Sequence, residues 1–212
     1  MRIKSLLKIA VPAIALGGIG LPALGQVELT TNGDFEDGNT SGWTSFPTAN
    51  STFTVTPDAS EGLFGGLINN PDQAAGAVVK QANIGIGTVT PGQTLQISFD
   101  AKGVFEAGGV AVAEFFSELS GGGTSSSQIL GGGPLFVATQ ATYQSFSFDV
   151  VTGPDVSGGV SLQFVAATGG AAGSIAQLNI DNVSVRTIPE PTTAGLIGLG
   201  GLALLARRRR AA

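Results

Sequence analysis

The chain has no cysteine and no histidine, and only one methionine, one tryptophan and one tyrosine among 212 residues. Without cysteine, no disulfide framework can carry the fold and no thiol can act as a nucleophile. Without histidine, the commonest general base and the commonest metal ligand are both missing. Basic residues are scarce away from the ends. Between Gln26 and Pro189, fourteen acids face only Lys80, Lys102 and Arg186, which leaves that stretch at a net charge of −11. Such a surface repels phosphate backbones, so nucleic-acid partners are excluded, and it attracts divalent cations. The P-loop and HExxH patterns are absent as well.

The basic residues that remain are gathered at the termini. Arg2, Lys4 and Lys8 precede an apolar stretch from Ile9 to Leu21, and Ala23-Leu24-Gly25 supplies a small-x-small cleavage site ahead of Gln26. This is the pattern of a secretory signal peptide over residues 1–25, a signal helix cut by signal peptidase. An uncleaved anchor fits less well, because the apolar stretch is short and broken by glycine. At the other end, Pro189-Glu190-Pro191 precedes an apolar run from Ala194 to Ala206 and then Arg207, Arg208, Arg209 and Arg210. As a helix, 13 residues reach about 20 Å, short of the ~30 Å hydrocarbon core. Gly195, Gly198, Gly200 and Gly201 also suit a processed anchor better than a permanent one. The arginines hold their flank in the cytoplasm, and the prolines keep Pro189–Pro191 extended at the outer face. This tail, residues 188–212, resembles the PEP-CTERM sorting signal of bacterial exosortase substrates. The resemblance implies a short transmembrane helix held transiently in the inner membrane and processing by exosortase. It also implies delivery to the cell surface or the extracellular matrix, among proteins linked to exopolysaccharide.

The mature stretch of about 160 residues is the size of one domain with a real core. Its glycine content is high, with 33 in the whole chain, and most of the 12 phenylalanines fall within it. Period-two runs mark strands. Phe53 and Val55 share one face. So do Leu95, Ile97, Phe99 and Ala101, then Phe146, Phe148 and Val150, then Val160, Leu162, Phe164 and Ala166. Val110 to Phe116 is apolar almost throughout and reads as a central strand covered on both sides. Thr90-Pro91-Gly92-Gln93 is a turn, and Ser120 to Pro134 reads as a low-complexity loop that no strand crosses. No helical period of useful length occurs in this stretch. The expected class is all-β, a sandwich or a barrel.

Five segments sharpen that expectation. They are NGDFEDGNTSGWTSF from Asn32, TPGQTLQISFDAKG from Thr90, SFSFDV from Ser145, VSLQFVA from Val160 and LNIDNVSV from Leu178. In this order they resemble the carbohydrate-binding-module type of jelly roll, over essentially all of residues 26–187. The resemblance implies a two-sheet antiparallel β-sandwich in which the N-G-x-F-E segment opens the first strand and I-D-x-V-x-V closes the domain beside it. It further implies that Glu36 and Asp181 help to hold a structural calcium ion (Ca2+). Backbone carbonyls near Gly33 and from Asp58 to Gly62 would complete the site. Apart from the resemblance, the parity switch from Leu178 and Ile180 to Val183 and Val185 marks a β-bulge at Asp181-Asn182. A surface bulge with no ion is the alternative reading of that pair.

Trp43 is expected in the core. Tyr143, at the start of a strand, is the candidate ligand contact, and Asn69, Asn70, Gln73, Gln81 and Asn83 are candidate hydrogen-bonding groups for a glycan. Few aromatic platforms remain unless some phenylalanines lie outside. Asp34 with Glu36, or Glu114 with Glu118, could be proposed as carboxylate pairs for glycoside hydrolysis, but neither comes with a recognisable active-site setting and an acidic chain offers such pairs by chance. The sequons at Asn39, Asn50 and Asn182 read as chance occurrences. The expectation is therefore a non-catalytic binding module for an extracellular polysaccharide, with a purely structural surface or matrix protein as the alternative.

Overall fold

The computed structural model describes residues 26–48 and 50–188. The signal helix, the C-terminal transmembrane helix and the processing residues Ala23, Gly25, Pro189, Glu190, Pro191 and Arg207 to Arg210 lie outside the described residues. Among the described residues, no helix is long and apolar enough to cross a membrane.

Among the described residues ten strands form: β1 (Thr44–Phe46), β2 (Thr52–Thr56), β3 (Gly65–Asn70), β4 (Gly76–Ile84), β5 (Thr94–Glu106), β6 (Val110–Glu118), β7 (Thr124–Ile129), β8 (Gln140–Val151), β9 (Val160–Ala167) and β10 (Ile175–Thr187). They make two five-stranded sheets in the orders β1-β4-β9-β6-β7 and β2-β3-β10-β5-β8, with antiparallel pairing throughout. The architecture is the expected two-sheet antiparallel sandwich. The first sheet is called the front sheet below, and the second the back sheet.

Alternation builds the core. Leu95, Ile97, Phe99, Ala101 and Phe105 of β5 face Leu162, Phe164 and Ala166 of β9, and all are buried. The aromatic rings form a continuous chain inside. Trp43 stacks on Phe35 at 5.7 Å and leans on Phe164 at 6.1 Å, which meets Phe99 edge-on at 4.9 Å. Trp43 is only 8% exposed, and its indole N–H donates to the Asn32 carbonyl.

Three expectations change. Val110 to Phe116 is not covered on both sides. Ala111, Ala113 and Phe115 are buried, whereas Val110, Val112, Glu114 and Phe116 are half-buried on the outer face. Ser120 to Pro134 is not all loop, because β7 lies within it and pairs with β6 through Phe116↔Ser127. Serine and threonine carry no period-two signal, so the pairing with β6 decides this strand, not its own composition. Asn32 to Phe46 does not open as a strand. It runs in turns until Thr44, while Val27 to Leu29 lies along the end of β10.

That last arrangement places the first and last segments of the sandwich side by side. Leu29 N–H donates to Val185 O at 2.9 Å, and Thr187 N–H to Val27 O at 3.1 Å. The Glu28 carboxylate fastens this clip. It accepts from Thr30 N–H, Val185 N–H, the Ser184 hydroxyl and Arg186 Nε. Burial pushes Glu28 up, but these hydrogen bonds outweigh it and bring the carboxyl down to about 2. Gly33 is required by the same approach, since a Cβ there would stand 1.9 Å from Val183 O.

Candidate functional site

Two places on the sandwich gather functional groups. The first is the loop between β2 and β3. Glu36 and Asp181 both close on it from distant parts of the chain. Glu36 Oε1 accepts from Leu63 N–H and Phe64 N–H, each at 2.8 Å. Asp181 Oδ2 accepts from Ser60 N–H at 2.7 Å and Glu61 N–H at 3.2 Å. Gly62 lets Glu36 reach the loop, because its φ is +71° and a Cβ would lie 2.4 Å from Glu36 Oε1. Asp181 sits on β10 at the expected bulge, where the register with β5 shifts between Asp181 and Ser184. Asn182 takes the left-handed conformation there, φ 49°, and its amide donates to Asp100 Oδ2 at 2.9 Å.

Asp181 is completely buried. Burial pushes its carboxyl up; the three backbone N–H groups pull it back, but the nearby Asp100 charge adds to the rise and the net shift is upward. Each carboxylate keeps one oxygen turned away from the loop N–H groups. Glu36 Oε2 has no hydrogen-bond partner among the described residues, and Asp181 Oδ1 takes only Asn182 N–H. Among the described residues, no three acidic side chains stand in an arrangement that could hold a metal ion by themselves. Glu36 and Asp181 thus reach the β2–β3 loop from two distant parts of the chain and each holds two of its backbone N–H groups.

Tyr143 lies near the start of β8, an edge strand of the back sheet. Its hydroxyl donates to Asp58 O at 2.7 Å, and the Lys102 ammonium sits 4.7 Å above its ring. Lys102 also pairs with Asp58 at 2.6 Å. Burial, then the charges of Asp58, Asp181 and Asp100, push the phenol up. Of the amides, Gln81 and Asn70 are buried and turned inward, bonded to Thr31 and to Ala166 O, so they cannot meet a glycan.

The second place is the outer face of the front sheet. The register Phe46↔Val78↔Val165↔Val112 makes an apolar row across four strands. The next row is Thr44↔Lys80↔Gln163↔Glu114↔Ile129, and the next holds Ser161↔Phe116↔Ser127. Phe46 is 55% exposed at one corner. Phe116 stands diagonally opposite, about 20 Å away from strand spacing and rise. Between them lie Lys80, Gln163 and Glu114, with the Gln163 amide donating to Glu114. Lys80 pairs with Glu118 at 2.5 Å. Burial pushes Glu118 up, but the Lys80 ammonium and Asn83 N–H outweigh it and hold the carboxyl low. A hollow of about 440 Å³ beside Glu118 is lined by Asn83, Ile86, Leu119, Ser120 and Ser157. Sequence reasoning missed this face. The usable signal was parity, since Phe116 alternates against buried Phe115 and Ala113.

Residues 27–166 match the model of the family described as carbohydrate binding domain. The chain belongs to that family. Residues 187–210 match the PEP-CTERM protein-sorting motif. No curated protein matches the chain. Among solved structures, the enzymatically active domain of bacteriophage CBA120 tailspike protein 4 is 20% identical, with a TM-score of 0.61 over 76% of this chain and 21% of that one. The chain therefore spans about a fifth of that tailspike structure. TmCBM61 in complex with β-1,4-galactotriose is 14% identical, with a TM-score of 0.52 over 76% of this chain and 99% of that one. The tandem CBM22-1–CBM22-2 domain from Paenibacillus barcinonensis Xyn10C is 15% identical, with a TM-score of 0.51 over 76% and 51%. At these identities the likeness is one of fold.

Proposed function

We propose that this protein is an exported, exosortase-processed surface or matrix protein whose sandwich binds an extracellular polysaccharide without cleaving it. The observation that carries the reading is the diagonal from Phe46 to Phe116 on the front sheet. Aromatic rings stack on the apolar faces of sugars, and the amide and carboxylate between them bond hydroxyls. The family match supports the ligand class. The sorting motif supports a route through signal peptidase, the inner membrane and exosortase.

Calcium is the second part of the reading. Glu36 and Asp181 would hold it, with carbonyls of the loop from Asp58 to Gly62. Its role is structural, neutralising a buried carboxylate and tying that loop to β10. Non-catalysis is supported by Glu114 and Glu118 each being engaged by a neighbour on the face. The structural alternative rests on β8, a 12-residue edge strand with no proline or lysine, which suits pairing between copies.

Residues Gln26–Pro189 form one compact unit with its own core, so a 26–188 fragment is the object to test. Affinity electrophoresis through gels containing the host's exopolysaccharide, with calcium and with chelator, decides between the readings. Retardation that Phe46→Ala abolishes supports the binding module. Unchanged mobility in every gel, with β8-dependent self-association, supports the structural role.

A further inference from the structure

Lys80 makes an unexpected choice of partner. In its own row the acidic residue is Glu114, two strands away beyond Gln163. Glu114 is instead bonded by Gln163. Lys80 passes diagonally over β9 and pairs with Glu118 at the far end of β6. On the way its ammonium lies 5.7 Å from the centroid of the Phe116 ring. The pair is well packed, with side chains only 24% and 14% exposed.

Ser161 lies beneath this crossing. It stands on the outward parity of β9, in the row of Phe116, yet it is completely buried. Its hydroxyl lies beside Glu118 and helps hold that carboxyl low, but it makes no well-formed hydrogen bond. A buried hydroxyl without a partner is costly, and a ligand group or water reaching it would remove that cost. The two corner phenylalanines also differ. Phe46 is open to solvent, while Phe116, on the same face, is half-buried. A cation over an aromatic face occupies the surface on which a sugar ring would stack.

We propose that the Lys80–Glu118 pair is a strap closed over Phe116 and Ser161, which a glycan must displace to use that end of the face. This rests on the reading of the face as a glycan site. The strap gives the site two states, one with Phe46 alone available and one with both rings available. The hollow beside Glu118 gives the displaced side chains room.

The test has one arm that needs no glycan. Trp43 is the only tryptophan and is buried, so Phe116→Trp in the 26–188 fragment adds a reporter against a quiet background. Acrylamide quenching of that reporter is expected to rise several-fold when Lys80→Met is added, and again with Glu118→Gln in its place. In the second arm, Lys80→Met in the Phe116 background is expected to bind the host exopolysaccharide and β-1,4-galactotriose roughly tenfold more tightly, the factor one released cation–π contact represents. Unchanged quenching in both variants overturns the strap. Raised quenching with weaker binding also overturns it, and makes Lys80 a ligand-contacting residue. Raised quenching with no binding by any variant leaves the strap standing and overturns the glycan reading instead.

Discussion

Phe46 is a largely exposed ring at the end of a three-residue edge strand, with Val78 as its cross-strand neighbour. Its removal should therefore cost binding and not stability. Phe46→Ala is expected to weaken glycan affinity about tenfold, as loss of a stacked ring commonly does, with Tm unchanged within a degree or so. Calorimetric titration and a thermal melt check the two halves. Glu28 is the opposite case, a residue whose value is in holding the chain. Its carboxyl in the folded state lies at about 2, below the ordinary glutamate range. A depressed carboxyl contributes stability that is complete above its unfolded value, near 4.3, and is lost as pH falls from there toward 2. Glu28→Gln should lower Tm at pH 6, and the difference from the parent should shrink between about pH 4.5 and pH 2. Melts across that window read the effect directly.

Elements show why part of the molecule was legible in its sequence and part was not. β5, β8 and β9 announce themselves because one face of each enters a shared core, so hydrophobicity follows the pleat. The bulge at Asp181-Asn182 was legible for the same reason, as a change of parity between Leu178, Ile180 and Val183, Val185. β6 misled because outward Val110, Val112 and Phe116 make its outer face apolar as well as its core face. That failure of the pattern falls on the candidate site itself, where local rules are expected to break. β7 was hidden in serine and glycine and exists because β6 offers it an edge. Glu36 and Asp181 were placed by family likeness, and their convergence on one loop depends on contacts that no local pattern encodes. The bulge also supports an element-scale prediction. Asn182 holds a positive φ and bonds Asp100, so Asn182→Val imposes a β-branched residue where the backbone is left-handed. The expected loss is about 1–3 kcal/mol, larger than for Asn182→Gly, measured by denaturant unfolding.

The sandwich must stand without disulfides, at a net charge of −11 between Gln26 and Pro189, with Val27 to Leu29 paired along the end of β10. Its acids are not spread evenly. Asp58, Asp100 and Asp181 all raise the Tyr143 phenol by their charge, and Asp100 does the same to buried Asp181. Among the described residues, Lys102 offsets that group through its pair with Asp58. A cation at Glu36 and Asp181 would relieve the repulsion between Asp181 and Asp100, and it would join the β2–β3 loop to β10 in a fold that has no covalent cross-link. Ion binding to the folded chain alone adds stability as RT ln(1 + [L]/Kd), about 2.7 kcal/mol at a hundredfold excess over Kd. The 26–188 fragment should therefore melt several degrees higher in millimolar calcium than in chelator, and magnesium, which demands a rigid octahedral shell, should do less. Glu36→Gln should abolish the calcium increment while leaving the chelator melt nearly unchanged, because an amide oxygen can still accept from Leu63 and Phe64. An equal calcium increment in parent and Glu36→Gln would move the ion away from this loop. No increment in the parent would leave Glu36 and Asp181 as anchors for backbone N–H groups alone.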